Sequence, residues 1–496
     1  MKRLILLLAA GVGGAAGAAE IPDRPEKLTF PALNYEPPAA AGYRVALKAG
    51  PVAILVPNRE LPLVGISITV RTGKYVEPSG KDGLAAMTGA LMDEGGAGAR
   101  TAEELEERLA FLAASLGVSV GETEGTAGIN LLSKDLDEGL SLLRDVLSAP
   151  RFQESRVELH KQQSLQAMKQ RNDDSRGIEG RERLNLAYGE KFWRNRQPTK
   201  ASIESITRAD LAAFHRDWFH PANFVVSVQG DFDRTAMTGK LEKFFSNWPF
   251  VGKKAPPIPD KKDMAKAGLY LVDKDVNQGR VSLILPGIHR DNPDYFPIQV
   301  MNEILGSGGF TSRIVNRVRS DEGLAYSAGS IFPGATYYEA SFVASFQSKS
   351  ATVAYAASLV LEEMKRISEE KVTAQELETA KRSFIETFPS TFDTPAQVAG
   401  ALASEEFTGR ARTDPDYYKN YRAKVSAVTA ADVQRVARKY LTLERVVILA
   451  VGNKADLLKG HPNHAARLDK LVPGPITTIP LRDPLTMQPL PQPSAP

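Results

Sequence analysis

Two stretches of this chain can be laid over each other without a gap, and that self-similarity limits the available folds more than any other feature. Ile206-Thr-Arg-Ala-Asp210-Leu leads through Trp218-Phe219 and Asn223 into Phe224-Val-Val-Ser-Val-Gln-Gly230. Val428-Thr-Ala-Ala-Asp432-Val leads through Tyr440-Leu441 and Arg445 into Val446-Val-Ile-Leu-Ala-Val-Gly452. Asp210 and Asp432 are 222 positions apart, and so are Gly230 and Gly452. In each copy a threonine three residues ahead of an aspartate predicts a capped helix start. The aliphatic run ending in glycine predicts a buried strand. A weaker pair, Leu91 to Gly95-Gly96 against Ile304 to Gly308-Gly309, is offset by 213. Two matches in the same order predict duplicated halves of about 210–220 residues.

Each half reads as strand, helix, strands, helices, strand. Val64, Ile66, Ile68 and Val70 alternate with small or polar residues, the period of a half-buried strand. Thr101 with Glu104 predicts a helix whose Leu105, Leu109, Leu112 and Leu116 share one face and which Gly117 ends. Arg280–Pro286 and Ala340–Phe346 are strand candidates. Residues 248–267 form a proline- and lysine-rich linker between halves at 42–247 and 268–457. From 458 to 496 the chain is proline-rich and loses periodicity, as an extended arm or disordered segment would. The expected fold class is α+β: two homologous halves, each a mostly antiparallel sheet layered with helices, facing each other across a cleft.

Composition removes several function classes. The 62 Lys and Arg nearly balance 59 Asp and Glu, a net charge of +3, which gives no basic face for nucleic acid. The absence of cysteine excludes disulfides, thiolate zinc sites and a cysteine nucleophile. Lys2-Arg3, the apolar Leu4–Ala10 and the small residues through Ala19 predict a secretory signal peptide over residues 1–19. No later stretch approaches the roughly 20 apolar residues of a membrane span. The mature chain is expected to be exported without a membrane span, and periplasmic if the source is Gram-negative.

Leu63–Gly96 reads as a strand, then Val76-Glu-Pro-Ser-Gly80-Lys-Asp-Gly83, then the helical Leu84-Ala-Ala-Met-Thr-Gly-Ala-Leu-Met-Asp-Glu-Gly-Gly96. With the duplication and the Phe219-His-Pro-Ala-Asn223 run, this resembles the insulinase/pitrilysin family of zinc peptidases, in its bacterial, processing-peptidase-like branch. The resemblance spans roughly residues 42–455. In active members this helix carries H-x-x-E-H: two histidines four apart bind one zinc, and the glutamate activates its water. Here those positions fall on Ala86, Gly89 and Ala90, and the expected third ligand, a glutamate, falls near Gln166. The six histidines, His160, His215, His220, His289, His461 and His464, form no H-x-x-E-H or H-E-x-x-H, and Asp93-Glu94 reads as a solvated helix end. No metal or cofactor is expected in this chain.

A second part of the resemblance is intact. Leu305-Gly-Ser-Gly-Gly-Phe-Thr-Ser-Arg313 leads into Ile314-Val-Asn-Arg-Val-Arg319-Ser-Asp-Glu-Gly323-Leu-Ala-Tyr326. In the family this pattern supplies an arginine and a tyrosine, seven apart, that grip substrate near the zinc; here they are Arg319 and Tyr326. Both can donate hydrogen bonds to a peptide carbonyl or its oxyanion. On spacing alone, an ion-paired arginine and a packed tyrosine is the competing assignment. The resemblance implies a non-catalytic subunit of an exported heteromeric zinc metallopeptidase. An H-x-x-E-H-containing homologous subunit would bring the zinc, and an extended peptide would be the substrate. The alternative is a catalytically inert peptide-binding or assembly scaffold of the same fold.

Overall fold

The computed structural model describes Arg24, Leu28 and residues 34–48, 50–260 and 262–491; the signal-peptide expectation at 1–19 lies outside the described residues. Pro37–Pro496 form one structural unit, separate from Met1–Glu36. In the first half, β1 (Arg44–Ala46), β2 (Val52–Pro57), β3 (Leu63–Val70), β4 (Ser115–Val120), β5 (Gly125–Leu132) and β6 (Phe224–Gly230) pair in the order β1-β2-β6-β3-β5-β4. In the second, β7 (Gly268–Asp273) and β8 (Gln278–Leu285) precede β9 (Ile288–His289), β10 (Ala325–Ile331), β11 (Gly334–Ala335) and β12 (Phe342–Lys349); β13 (Val447–Gly452) and β14 (Ile476–Ile479) follow. Six of these make a sheet ordered β10-β12-β8-β13-β7-β14, while β9 and β11 pair separately.

The sheets match strand for strand. Replacing β2, β6, β3, β5 and β4 by β7, β13, β8, β12 and β10 turns one order into the other. Within those five, only β2·β6 and its counterpart β7·β13 are parallel. The sixth strand is where the halves differ: β1 comes from just before β2 and runs antiparallel to it, whereas β14 comes from the C-terminal arm and runs parallel to β7. The fold is thus the expected α+β pair of homologous halves.

The helices of the first half are α1 (Leu84–Glu94), α2 (Ala102–Phe111), α3 (Leu136–Ser148), α4 (Glu154–Lys169), α5 (Ser175–Tyr188), α6 (Lys200–Ser205), α7 (Arg208–Trp218) and α8 (Arg234–Phe245). Those of the second are α9 (Tyr295–Asn302), α10 (Arg313–Val315), α11 (Val353–Glu369), α12 (Ala374–Thr387), α13 (Pro395–Thr408), α14 (Arg410–Thr413), α15 (Tyr417–Ser426), α16 (Ala430–Tyr440) and α17 (Lys454–Lys459). Both repeated caps form: Thr207 and Asp210 exchange side-chain-to-backbone hydrogen bonds at the start of α7, as Thr429 and Asp432 do for α16. One expected helix is too long. The leucine-faced helix stops at Phe111, Ala113 turns the chain with φ 49, and Leu116 and Gly117 belong to β4. The period of two in Ser115–Val120, with Val118 and Val120 buried between exposed neighbours, overrides the leucine spacing.

The halves exchange helices. Helix α5 of the first half lies on β8 and β13 of the second, and α13 of the second lies on β2 and β6 of the first. A strand covered on both faces reads as an unbroken aliphatic run, which is why β13 is buried at every residue. Between the halves, Tyr338 meets Tyr188, Phe192 and Trp193 edge to face, Tyr188 stacks on Phe192, and Ile178, Ile284, Val447 and Leu449 join them. Each buried aromatic removes on the order of 150–250 Å² from water, about 4–6 kcal/mol of gross stabilisation before entropy. Arg44 adds a two-pronged ion pair to Glu406 (3.0 and 3.3 Å). The C-terminal arm then crosses back to the first half. Beyond β14, Arg482 reaches Glu182 of α5 at 3.0 Å, and Lys200 donates its backbone N–H to the Leu485 carbonyl at 2.7 Å.

Candidate functional site

The α1 helix is set by Glu77, whose Oε1 accepts from the backbone N–H of Gly83 (3.1 Å) and Ala85 (2.8 Å) at the helix start. Burial pushes this carboxyl up to about 7. Leu84, Met87, Leu91 and Met92 anchor the helix in the core. Ala86 is exposed and Ala90 half-buried. Gly89 is sealed: a Cβ there would lie 2.6 Å from the backbone N of Val120 and 2.9 Å from the carbonyl carbon of Ser119. Gln166 stands exposed on α4, accepting from Lys169 Nζ at 3.3 Å. The methyl groups of Ala86 and Ala90 and the hydrogen of Gly89 offer no lone pair to a cation, and the single neutral amide of Gln166 cannot hold one alone, so these residues do not fit a zinc ion. No metal-dependent step is assigned to this chain. Asp93 departs from the solvated-end reading: it is half-buried, and burial pushes its carboxyl up to about 7, whereas Glu94 is exposed.

The histidines are dispersed. His215 is buried, stacked on Phe219 and bonded through Nε2 to the Leu147 carbonyl (2.8 Å), and burial lowers its pKa to about 4. His220 meets the Lys253 carbonyl at 2.9 Å, fastening the linker. His464 stacks on Tyr355, with His461 beside it, and His289 approaches Asp260. His160 sits on α4, where burial lowers its pKa against the raising field of Glu94. Among the described residues, no group of three His, Asp or Glu side chains is arranged to hold a metal ion.

The Gly-rich stretch after α9 builds a different site. Glu303–Ser307 winds as a wide π-turn, Gly309–Thr311 as a 3₁₀ turn, and α10 continues into a second π-type stretch, Asn316–Asp321. Such widened turns shift side chains off the regular helical face. Arg313 is buried against Glu376 (2.6 and 3.0 Å), and Arg317 pairs with Glu322 at 3.1 Å. Among the described residues Arg319 has no acidic partner; its guanidinium carbon lies 4.6 Å from the centre of the Phe310 ring and 4.8 Å from that of Tyr326. Gly323, at φ 62, makes the left-handed turn that leads into β10.

On β10 the register slips: Ala325 pairs with Ser348 and Ala328 with Phe346, so Tyr326 and Ser327 together face Gln347. This β-bulge turns both outward and leaves Tyr326 85% exposed. An arginine resting against two rings can still offer its N–H fork to an acceptor, and the phenol beside it adds a second donor. Among the described residues Arg319 has no ion-pair partner, and Tyr326 is not packed into the sheet. Phe310, 64% exposed, is a member of this group that spacing alone did not single out. Its only signal was an aromatic following two glycines.

A duplicated α+β molecule that holds an arginine–tyrosine pair outward has a peptidase-like architecture. Comparison with known proteins agrees. Residues 205–384 match the family model described as the Peptidase M16 inactive domain. The "Non-peptidase homolog YmxG" of Helicobacter pylori is 26% identical over 372 residues, 73% of this chain and 80% of that one. An uncharacterized zinc protease of Mycobacterium leprae is 26% identical over 46% of this chain, a match spanning 52% of that protein. The crystal structure of a peptidase M16 inactive domain from Pseudomonas fluorescens superposes with a TM-score of 0.73 at 23% identity, covering 82% of this chain and 97% of that one. The chain thus carries a stretch that matches the M16 inactive domain and is similar across most of its length to a non-peptidase homologue of that fold.

Proposed function

We propose that this protein is the non-catalytic subunit of an exported heteromeric zinc metallopeptidase. A homologous partner with H-x-x-E-H supplies the zinc, and this chain holds an extended peptide and completes the partner's active site with Arg319 and Tyr326. The observation that carries the reading is Arg319: a guanidinium with no carboxylate partner among the described residues, lying against two exposed rings, beside a tyrosine turned outward at a bulge. A charge placed so has no structural duty and matches what a developing oxyanion requires. Metal and carbonyl-gripping groups must converge on one scissile bond but need not share a chain. The edge strands β4 and β10 offer backbone groups to which an extended peptide adds as a further strand.

The test is co-purification from the native host followed by a peptidase assay with and without chelator. The expected result is an H-x-x-E-H homologue in the eluate and chelator-sensitive cleavage that needs both chains. Full activity of the partner alone would remove the proposed role, and an inert complex would leave a peptide-binding scaffold.

A further inference from the structure

Between α5 and the uncovered part of the second sheet lies an open cavity of about 460 Å³. Its polar walls include Glu179 and Arg183 from α5, Arg280 and Ser282 from β8, Ser327 from β10 and Ser345 from β12. The charges do not cancel. Glu179 Oε1 is engaged by Arg183 Nε (2.8 Å) and Ser282 Oγ (2.5 Å). Arg280 receives only an amide: its Nη2 donates to Gln347 Oε1 at 2.5 Å, its Nε is buried without a partner, and among the described residues no carboxylate pairs with it. Two guanidiniums thus face one carboxylate, and the half-buried Arg280 presents an unneutralised charge to the cavity that an anionic ligand would pair.

The duplication supplies an internal control. Arg280 pairs in register with Gln347, and its counterpart in the first half, Gly65, pairs with Asn130. There the space above the glycine is filled by neutral amides: a Cβ on Gly65 would sit 1.9 Å from Gln229 Nε2 and 2.6 Å from Asn130 Oδ1. The architecture does not need a cation at this point, and only one half has it. Gln347 also faces the Tyr326–Ser327 bulge, so Arg280 lies two strands from the tyrosine, about 10 Å in backbone spacing. That is roughly three residues of extended chain.

We propose that this cavity binds a carboxylate of the peptide, an acidic side chain or the C-terminal group, about three residues from the bond held at Arg319 and Tyr326. Arg280 is its ion-pairing residue, and the serine hydroxyls complete the hydrogen bonds. The inference rests on the peptide-binding reading above and adds the class of peptide.

The test uses the purified full chain and three fluorescent unstructured peptides of one sequence: a central Glu with an amidated C-terminus, the Gln analogue with an amidated C-terminus, and the Gln analogue with a free C-terminus. By anisotropy, one of the two carboxylate-bearing peptides binds roughly tenfold more tightly than the neutral one, and which one identifies the source. Arg280→Gln, with its melting temperature checked, removes that preference; Arg280→Lys retains part of it. Equal binding of all three peptides, or a preference that survives Arg280→Gln, overturns the cavity assignment and leaves peptide binding intact. Binding of none overturns both.

Discussion

A side-chain carbon added to Gly89 would lie 2.6 Å from the backbone nitrogen of Val120, well inside van der Waals contact. The packing of α1 on β4 therefore leaves no room for a side chain at position 89, whatever stands at 86 and 90. Rewriting Ala86, Gly89 and Ala90 as His, Glu and His should not recreate a zinc enzyme. Gly89→Glu is expected to cost about 1–3 kcal/mol or more, because the obstructing atoms are backbone and cannot swing aside. Ala86→His, on the exposed face, should cost little. Urea unfolding of the single variants measures both effects. A Gly89→Glu variant as stable as the parent would show that β4 yields readily.

Among the described residues Arg319 has no ion-pair partner, so removing it should leave the fold intact. Arg319→Ala and Tyr326→Phe are expected to keep the parent melting temperature and partner affinity. Turnover of the reconstituted complex should fall by one to three orders of magnitude for the arginine, the scale of a lost oxyanion donor. Phe310→Ala should fall between these variants and the parent, since the ring positions the guanidinium and donates nothing itself. Unchanged kinetics in Arg319→Ala and Tyr326→Phe would remove the assigned role.

The Thr207 and Thr429 caps and the strands around Val64 and Val447 were legible because each rests on local chemistry: a hydroxyl three residues before an acid, a period of two, or an unbroken aliphatic run. That Ala86, Gly89 and Ala90 of α1 carry no donor was legible because residue identity alone decides whether a lone pair exists. What stayed hidden depends on partners distant in sequence. The helical pattern of α5 does not reveal that its apolar face meets β8 and β13 of the other half. The bulge at Tyr326–Ser327 is invisible without the register of β12. Ile476–Ile479 is short and flanked by prolines, features an edge strand tolerates but that read as arm. Arg280 was part of a strand candidate, yet its missing counter-ion appears only when α5 is in place.

Asp93 makes stability fall with rising pH. Its folded-state pKa, raised to about 7 by burial, stands above the unfolded value of about 3.9. Between those values the native state holds a proton that the unfolded chain has released. The stabilisation is complete below about pH 4 and is lost as pH rises through 7. Asp93→Asn stays neutral throughout, so its advantage over the parent should grow from near zero at pH 4 to at least about 1 kcal/mol at pH 8. Glu77 titrates similarly in both proteins and cancels from the difference. Urea midpoints at the two pH values check this, and a pH-independent difference would contradict it.

The C-terminal arm ties the two halves together, and its removal should be felt far from the terminus. Glu182 is 2% exposed and takes Arg482 from the arm and Arg181 from its own helix. Arg482→Ala leaves that carboxylate with one cation, so the loss should lie near the lower end of the roughly 3–5 kcal/mol that a fully orphaned buried charge costs. Truncation before Ile476 should cost more, because it also bares the β7 edge and frees the Arg171 and Lys200 contacts to Pro484 and Leu485. Limited proteolysis distinguishes a strap from a passive extension. A strap predicts that truncation speeds cleavage in α5 and the 248–267 linker, which pack on each other through Tyr188 and Asp263. A truncated chain with parent resistance at those sites would mean that the exchanged helices hold the halves together unaided.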